Sequence, residues 1–166
     1  MIKEYVQEPN EKNELFLRYE FVSPCSKLIR REIVEKNKIE FEGVRYANDV
    51  MFSTKTALCA KKIGVCEETI YVITQMEGTL TTAMSEENFI QRLDVFIRKV
   101  NLLKKELSRE QCKLMSFNGT GQVISIFKHR LGGKVLWICI KNLSKNKIPV
   151  INPNYFRVKF WLEKMK

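Results

Sequence analysis

Gln122-Val123-Ile124-Ser125-Ile126-Phe127-Lys128-His129 is an apolar, β-branched run, and so is Lys134-Val135-Leu136-Trp137-Ile138-Cys139-Ile140-Lys141, with Arg130-Leu131-Gly132-Gly133 between them. Two such runs around a glycine-bearing turn predict a β-hairpin, because glycine supplies the positive φ that tight hairpins need. Working outward, Asn142 to Pro153 reads as a polar connection, and Tyr155 to Glu163 as a closing strand of clean alternation. Phe156, Val158, Phe160 and Leu162 would point to one side, and Tyr155, Arg157, Lys159 and Trp161 to the other.

The N-terminal half carries the same period of two. Leu15, Leu17, Tyr19 and Phe21 alternate with Glu14, Arg18 and Glu20, before Pro24 breaks the run. Residues 27–35, 38–46 and 69–74 read as further strands, and residues 50–63 admit a short helix. One long amphipathic helix is expected at about 86–107, with Ser85 as N-cap, Glu86 and Glu87 in its first turn and Lys104 and Lys105 in its last. Its buried face would be Phe89, Leu93, Phe96, Ile97, Val100, Leu103 and Leu107. The predicted fold class is therefore α+β: a mainly antiparallel β-sheet or partly open barrel, OB-like in its order, with that one helix. No repeat or linker interrupts the chain, so residues 1–166 are expected to form a single domain with a basic C-terminal β subregion, 118–166.

The chain of 166 residues is 45% hydrophobic and 29% charged, which is the composition of a packed globule rather than a disordered segment. Five cysteines without a CxxC pair are expected to be buried or half-buried thiols, which fits a cytoplasmic or nuclear setting. Neither a signal peptide nor a membrane span is expected, since no apolar run is long enough for either.

The net charge of +10 is unevenly placed. Residues 1–117 hold 19 Lys and Arg against 18 Asp and Glu, whereas residues 118–166 hold 10 against Glu163 alone. Such asymmetry marks an electrostatic partner. Stacking of bases on aromatic rings, combined with neutralisation of phosphates, would suit the aromatic and basic face of the last strand. The expected nucleic-acid or partner-binding residues are Lys128, Arg130, Lys134, Lys141, Tyr155, Arg157, Lys159 and Trp161, with Lys145 and Lys147 in the connection beside them. The function that follows is a non-enzymatic module binding DNA or RNA, as a subunit of a nucleoprotein or regulatory assembly. An adaptor docking an acidic protein is the alternative.

Catalytic signals are thin. His129 is the one histidine, between Lys128 and Arg130, and a solvated or partner-contacting role suits it better than proton transfer. No phosphate-binding loop, GxSxG elbow or HExxH helix is present, and Asn118-Gly119-Thr120-Gly121 is only a turn signal. Glu40, Glu42 and Asp49 would be the carboxylates of a metal-dependent nuclease, a third reading in which Glu40 and Glu42 share a strand face. No cofactor is expected. Phe16-Leu17-Arg18-Tyr19 and Arg45-Tyr46-Ala47-Asn48-Asp49-Val50-Met51 resemble segments of the Mago nashi family of exon-junction subunits. The long helix and basic C-terminal third follow a different order from that family's, so no functional residue is carried across.

Overall fold

A computed structural model describes residues 1–69, 71–72 and 84–156. Eight α-helices are formed among them: α1 (Ile2–Gln7), α2 (Glu11–Tyr19), α3 (Arg31–Lys36), α4 (Asn48–Cys59), α5 (Glu86–Glu106), α6 (Arg109–Met115), α7 (Thr120–Lys128) and α8 (Gly133–Lys145), followed by a 3-10 turn at Pro153–Phe156. No β-strand occurs among the described residues, so the antiparallel sheet or OB-like barrel is overturned.

The first misread strand and the hairpin each have a packing reason, and the expected strand 27–35 instead runs into α3. Leu15 and Tyr19, four residues apart, share one helical face and pack with Leu103 and Met115, while Leu17 is buried on another side of α2. A helix wedged between α4 and α6 buries residues on both flanks, which imitates a period of two. The expected hairpin is instead α7, a turn and α8. Val135, Cys139 and Leu143 are all buried on α8 at a spacing of four, and tertiary burial of that stripe overrides the β preference of Val123, Ile124, Val135, Ile138 and Ile140. Residues 38–46 form no strand, so Glu40 and Glu42 do not share a sheet face. Of the closing strand, Tyr155 and Phe156 belong to the 3-10 turn, while residues 157–163 lie outside the described residues, as do 70, 73 and 74 of the expected strand 69–74; 69, 71 and 72 form no strand.

Helix α5 is the long amphipathic element expected from the sequence, capped by the Ser85 hydroxyl, which accepts a hydrogen bond from the Asn88 amide at 3.1 Å. It organises two clusters. Phe89, Leu93, Ile97 and Val100 pack with Ile126, Val135, Cys139, Leu143 and Ile148 from the α7–α8 side, whereas Leu103 closes over Leu15, Tyr19 and Met115. Full burial of each such side chain contributes about 1.5–3 kcal/mol. A third flank faces α4 and carries charge: Lys99, only 5% exposed, donates to Glu20 at 3.0 Å.

Local chemistry fixes the remaining joints. Arg18 Nη1 donates to the carbonyls of Ala57 at 3.1 Å and Ala60 at 2.7 Å, closing the C-terminal end of α4 against α2. Ser108 and Gln111 form a reciprocal capping box at the start of α6. At Gly119 an added Cβ would run into the Leu143 side chain, which would have to shift.

Candidate nucleic-acid interface

The C-terminal region of the described structure is a helix–turn–helix clamped at both ends. At its entry the Gly119 amide donates to Pro149 O at 2.7 Å, and the Thr120 hydroxyl accepts from the Asn152 amide at 2.8 Å. The chain leaving α8 therefore returns to hold the start of α7. At the turn, His129 caps α7 and Arg130 takes φ 51°, so that the Arg130 amide reaches Phe127 O at 3.2 Å and the Leu131 amide reaches Ile126 O at 3.0 Å. This is a Schellman ending, with Leu131 and Ile126 in one apolar cluster. Helix α8 starts beside Glu86 of α5, since a Cβ at Gly132 would lie 3.3 Å from Glu86 Oε1. It ends beside the last turns of α5, where Asn101 Nδ2 donates to Asn146 Oδ1 at 2.8 Å and Lys104 Nζ to Lys147 O at 2.9 Å. Matching ends mean that α5 and α8 run parallel.

Burying Val135, Cys139 and Leu143 turns the opposite side of α8 outward. There Lys134, Trp137, Lys141 and Lys145 follow one another at helical spacing, all exposed. Trp137 keeps 61% of its surface in solvent, and Lys141 Nζ stands 4.7 Å from its ring centroid. The turn adds exposed Arg130, and α7 adds exposed Lys128 together with Ile124 and Phe127, which are 59% and 66% exposed. None of the five cations Lys128, Arg130, Lys134, Lys141 and Lys145 forms an ion pair among the described residues. No Asp or Glu occurs anywhere from Gln111 to Tyr155.

Four of the eight expected binding residues, Lys128, Arg130, Lys134 and Lys141, are thus brought onto one helical pair rather than a hairpin. Tyr155 belongs to the 3-10 turn rather than to that pair, and Arg157, Lys159 and Trp161 lie outside the described residues. Trp137 was missed because a strand reading sets Lys134 on the opposite face from Trp137 and Lys141. Spacings of three and four, tested across 134–145, expose it.

The other candidate groups are committed elsewhere. Glu42 bonds Arg98, which also donates to Asp94 at 2.8 Å, and the Glu42 hydrogen bond is the first cause holding the Arg98 guanidinium above its ordinary pKa. Glu40 is exposed, Asp49 sits in the first turn of α4, and no group of three His, Cys, Asp or Glu is placed to hold a metal among the described residues. His129 is half-buried in its capping position. Three of the thiols depart from expectation, Cys25, Cys59 and Cys66 being exposed, whereas Cys112 is half-buried and Cys139 is buried, where desolvation pushes its pKa up to about 11. A cleft of about 720 Å³, lined by Phe21, Ile29, Ala60, Ile63, Val65 and Tyr71, receives Lys27, whose amine donates to Phe21 O and is held below the usual lysine pKa by burial. Among the described residues no helix is long and apolar enough to cross a membrane. No family model, curated protein or solved structure matches the chain.

Proposed function

We propose that the chain is a non-enzymatic nucleic-acid-binding module whose contact surface is the outward side of α7, the turn and α8. The observation that supports this reading is the row of exposed cations Lys128, Arg130, Lys134, Lys141 and Lys145 in a stretch of 45 residues without a carboxylate, Gln111 to Tyr155. A rigid scaffold underlies the row: the helices are locked to α5 by buried apolar contacts and to each other by the Schellman turn. Cations fixed in a single-sign field favour a polyanion, and each phosphate neutralised releases a counterion.

The test is fluorescence anisotropy of labelled DNA and RNA oligonucleotides across a salt series, with wild type and a Lys128→Gln, Arg130→Gln, Lys134→Gln, Lys141→Gln variant. Wild type should bind with log affinity falling linearly in log salt, and the variant should bind weakly, with a slope flatter by about one unit for every phosphate it no longer neutralises. Absence of binding at low salt would remove the reading. An adaptor for an acidic protein is the second reading, favoured by exposed Ile124, Phe127 and Ile140, which offer an amphipathic acidic helix an apolar seat that phosphates do not use.

A further inference from the structure

We infer that the α8 face takes single-stranded rather than duplex nucleic acid, with Trp137 as the stacking platform between Lys134 and Lys141. This inference rests on the nucleic-acid reading above and names its substrate class. In helix–turn–helix proteins that read duplex DNA, the second helix enters the major groove with its N-terminal residues on the base edges. Here that end is unsuited to the task. Positions 132 and 133 are glycine, with no side chain to reach a base edge, and the Glu86 carboxylate stands against Gly132 with Glu87 following it in the first turn of α5. Phosphates flanking a groove would meet that negative charge at close range.

The accessible chemistry lies further along α8. A mostly exposed indole in mid-helix is an aromatic platform, and only an unpaired base has a π-face to give it, because in a duplex the bases stack on each other. Lys134 and Lys141 stand on either side, separated by about 10 Å along the helix axis at 1.5 Å per residue. That span leaves room for a splayed base between two phosphate contacts. Lys141 rests over one face of the indole, so a stacked base would take the other face or displace the ammonium, which is then free to meet the backbone.

Anisotropy uses the full wild-type chain, and fluorescence uses Trp161→Phe, which leaves Trp137 as the single tryptophan. Its fluorescence and the anisotropy of labelled oligo(dT), oligo(U) and a mixed-sequence duplex of equal length are followed at matched phosphate concentration. Both single strands should bind at least about tenfold tighter than the duplex and quench Trp137. Trp137→Ala should weaken single-strand binding roughly five- to hundredfold without changing the salt slope, since stacking releases few counterions. Trp137→Phe should restore most of that affinity, and an unchanged thermal melt would show that the exposed substitution spares the fold. Duplex bound as tightly as single strands, or a Trp137→Ala variant that binds like its parent, would overturn this inference and leave the nucleic-acid reading standing. Failure of every oligonucleotide to bind would remove both.

Discussion

Lys36-Asn37-Lys38-Ile39 and Lys145-Asn146-Lys147-Ile148 are the same four residues, and both end a helix in the same way. Lys38 takes φ 49° and Lys147 φ 53°, and each is followed by a buried isoleucine whose amide returns to a carbonyl five residues back, Val34 at 3.0 Å and Leu143 at 2.9 Å. The left-handed region costs a residue with a Cβ roughly 1–2 kcal/mol that glycine does not incur, and lysine occupies it at both places. The flexibility glycine adds to the unfolded chain takes part of that back. Lys38→Gly and Lys147→Gly should therefore each stabilise the protein by about 0.5–1 kcal/mol, read as a higher urea midpoint at unchanged m-value. A lowered midpoint in both would mean that the lysine side chains hold interactions worth more than the backbone strain. Arg130 makes the third such ending with Leu131, so among the described residues one turn chemistry is used three times, once at the turn of the candidate interface.

Among the elements, α5 carries the packing, and its burial sorts its residues more finely than its periodicity does. Phe89 is fully buried in the cluster with α7 and α8, while Phe96 is half-buried at that cluster's margin. Phe89→Ala should cost about 3–5 kcal/mol and Phe96→Ala clearly less, as compared by denaturant unfolding. Equal costs would place the core boundary wrongly. The helix was legible because its cap, its terminal charges and its apolar face agreed, each an independent signal. Val95 and Lys99 were not, since a helix covered on more than one flank buries positions that a single-stripe reading assigns to solvent. The same effect hid α2, where Leu15 and Tyr19 are buried on one side and Leu17 on another. Helices α7 and α8 were obscured for another reason: isoleucine and valine raised strand propensity, and glycines at 132 and 133 suited a hairpin equally well, although the spacing of Val135, Cys139 and Leu143 already contained the helix. Basic residues survived the change of element because charge along the chain does not depend on which element carries it. The partner of Lys134 and Lys141 on the helix, Trp137, did depend on it.

At the scale of the whole molecule, a net charge of +10 would draw any polyanion to some degree, so binding alone does not locate a surface. Two variants of equal net charge separate a general attraction from a local one. The first removes the cations of the α7–α8 face as Lys128→Gln, Arg130→Gln, Lys134→Gln and Lys141→Gln; the second removes Lys3→Gln, Lys12→Gln, Lys36→Gln and Lys55→Gln, all exposed and outside any ion pair among the described residues. Both variants carry four fewer positive charges. Exposed charges more than a Debye length from a contact, about 8 Å at physiological salt, are largely screened, so the second four, which lie on α1 to α4 rather than on α7 or α8, should matter less there. Removing the near four should lower affinity by orders of magnitude at low salt and flatten the salt slope by up to about four units, one for each phosphate left without its cation. Anisotropy titrations of both variants with the same labelled single strand supply the comparison. Should the two variants weaken binding alike, the attraction belongs to the chain's overall charge, and the ordered row on α8 is a solvated face rather than an interface.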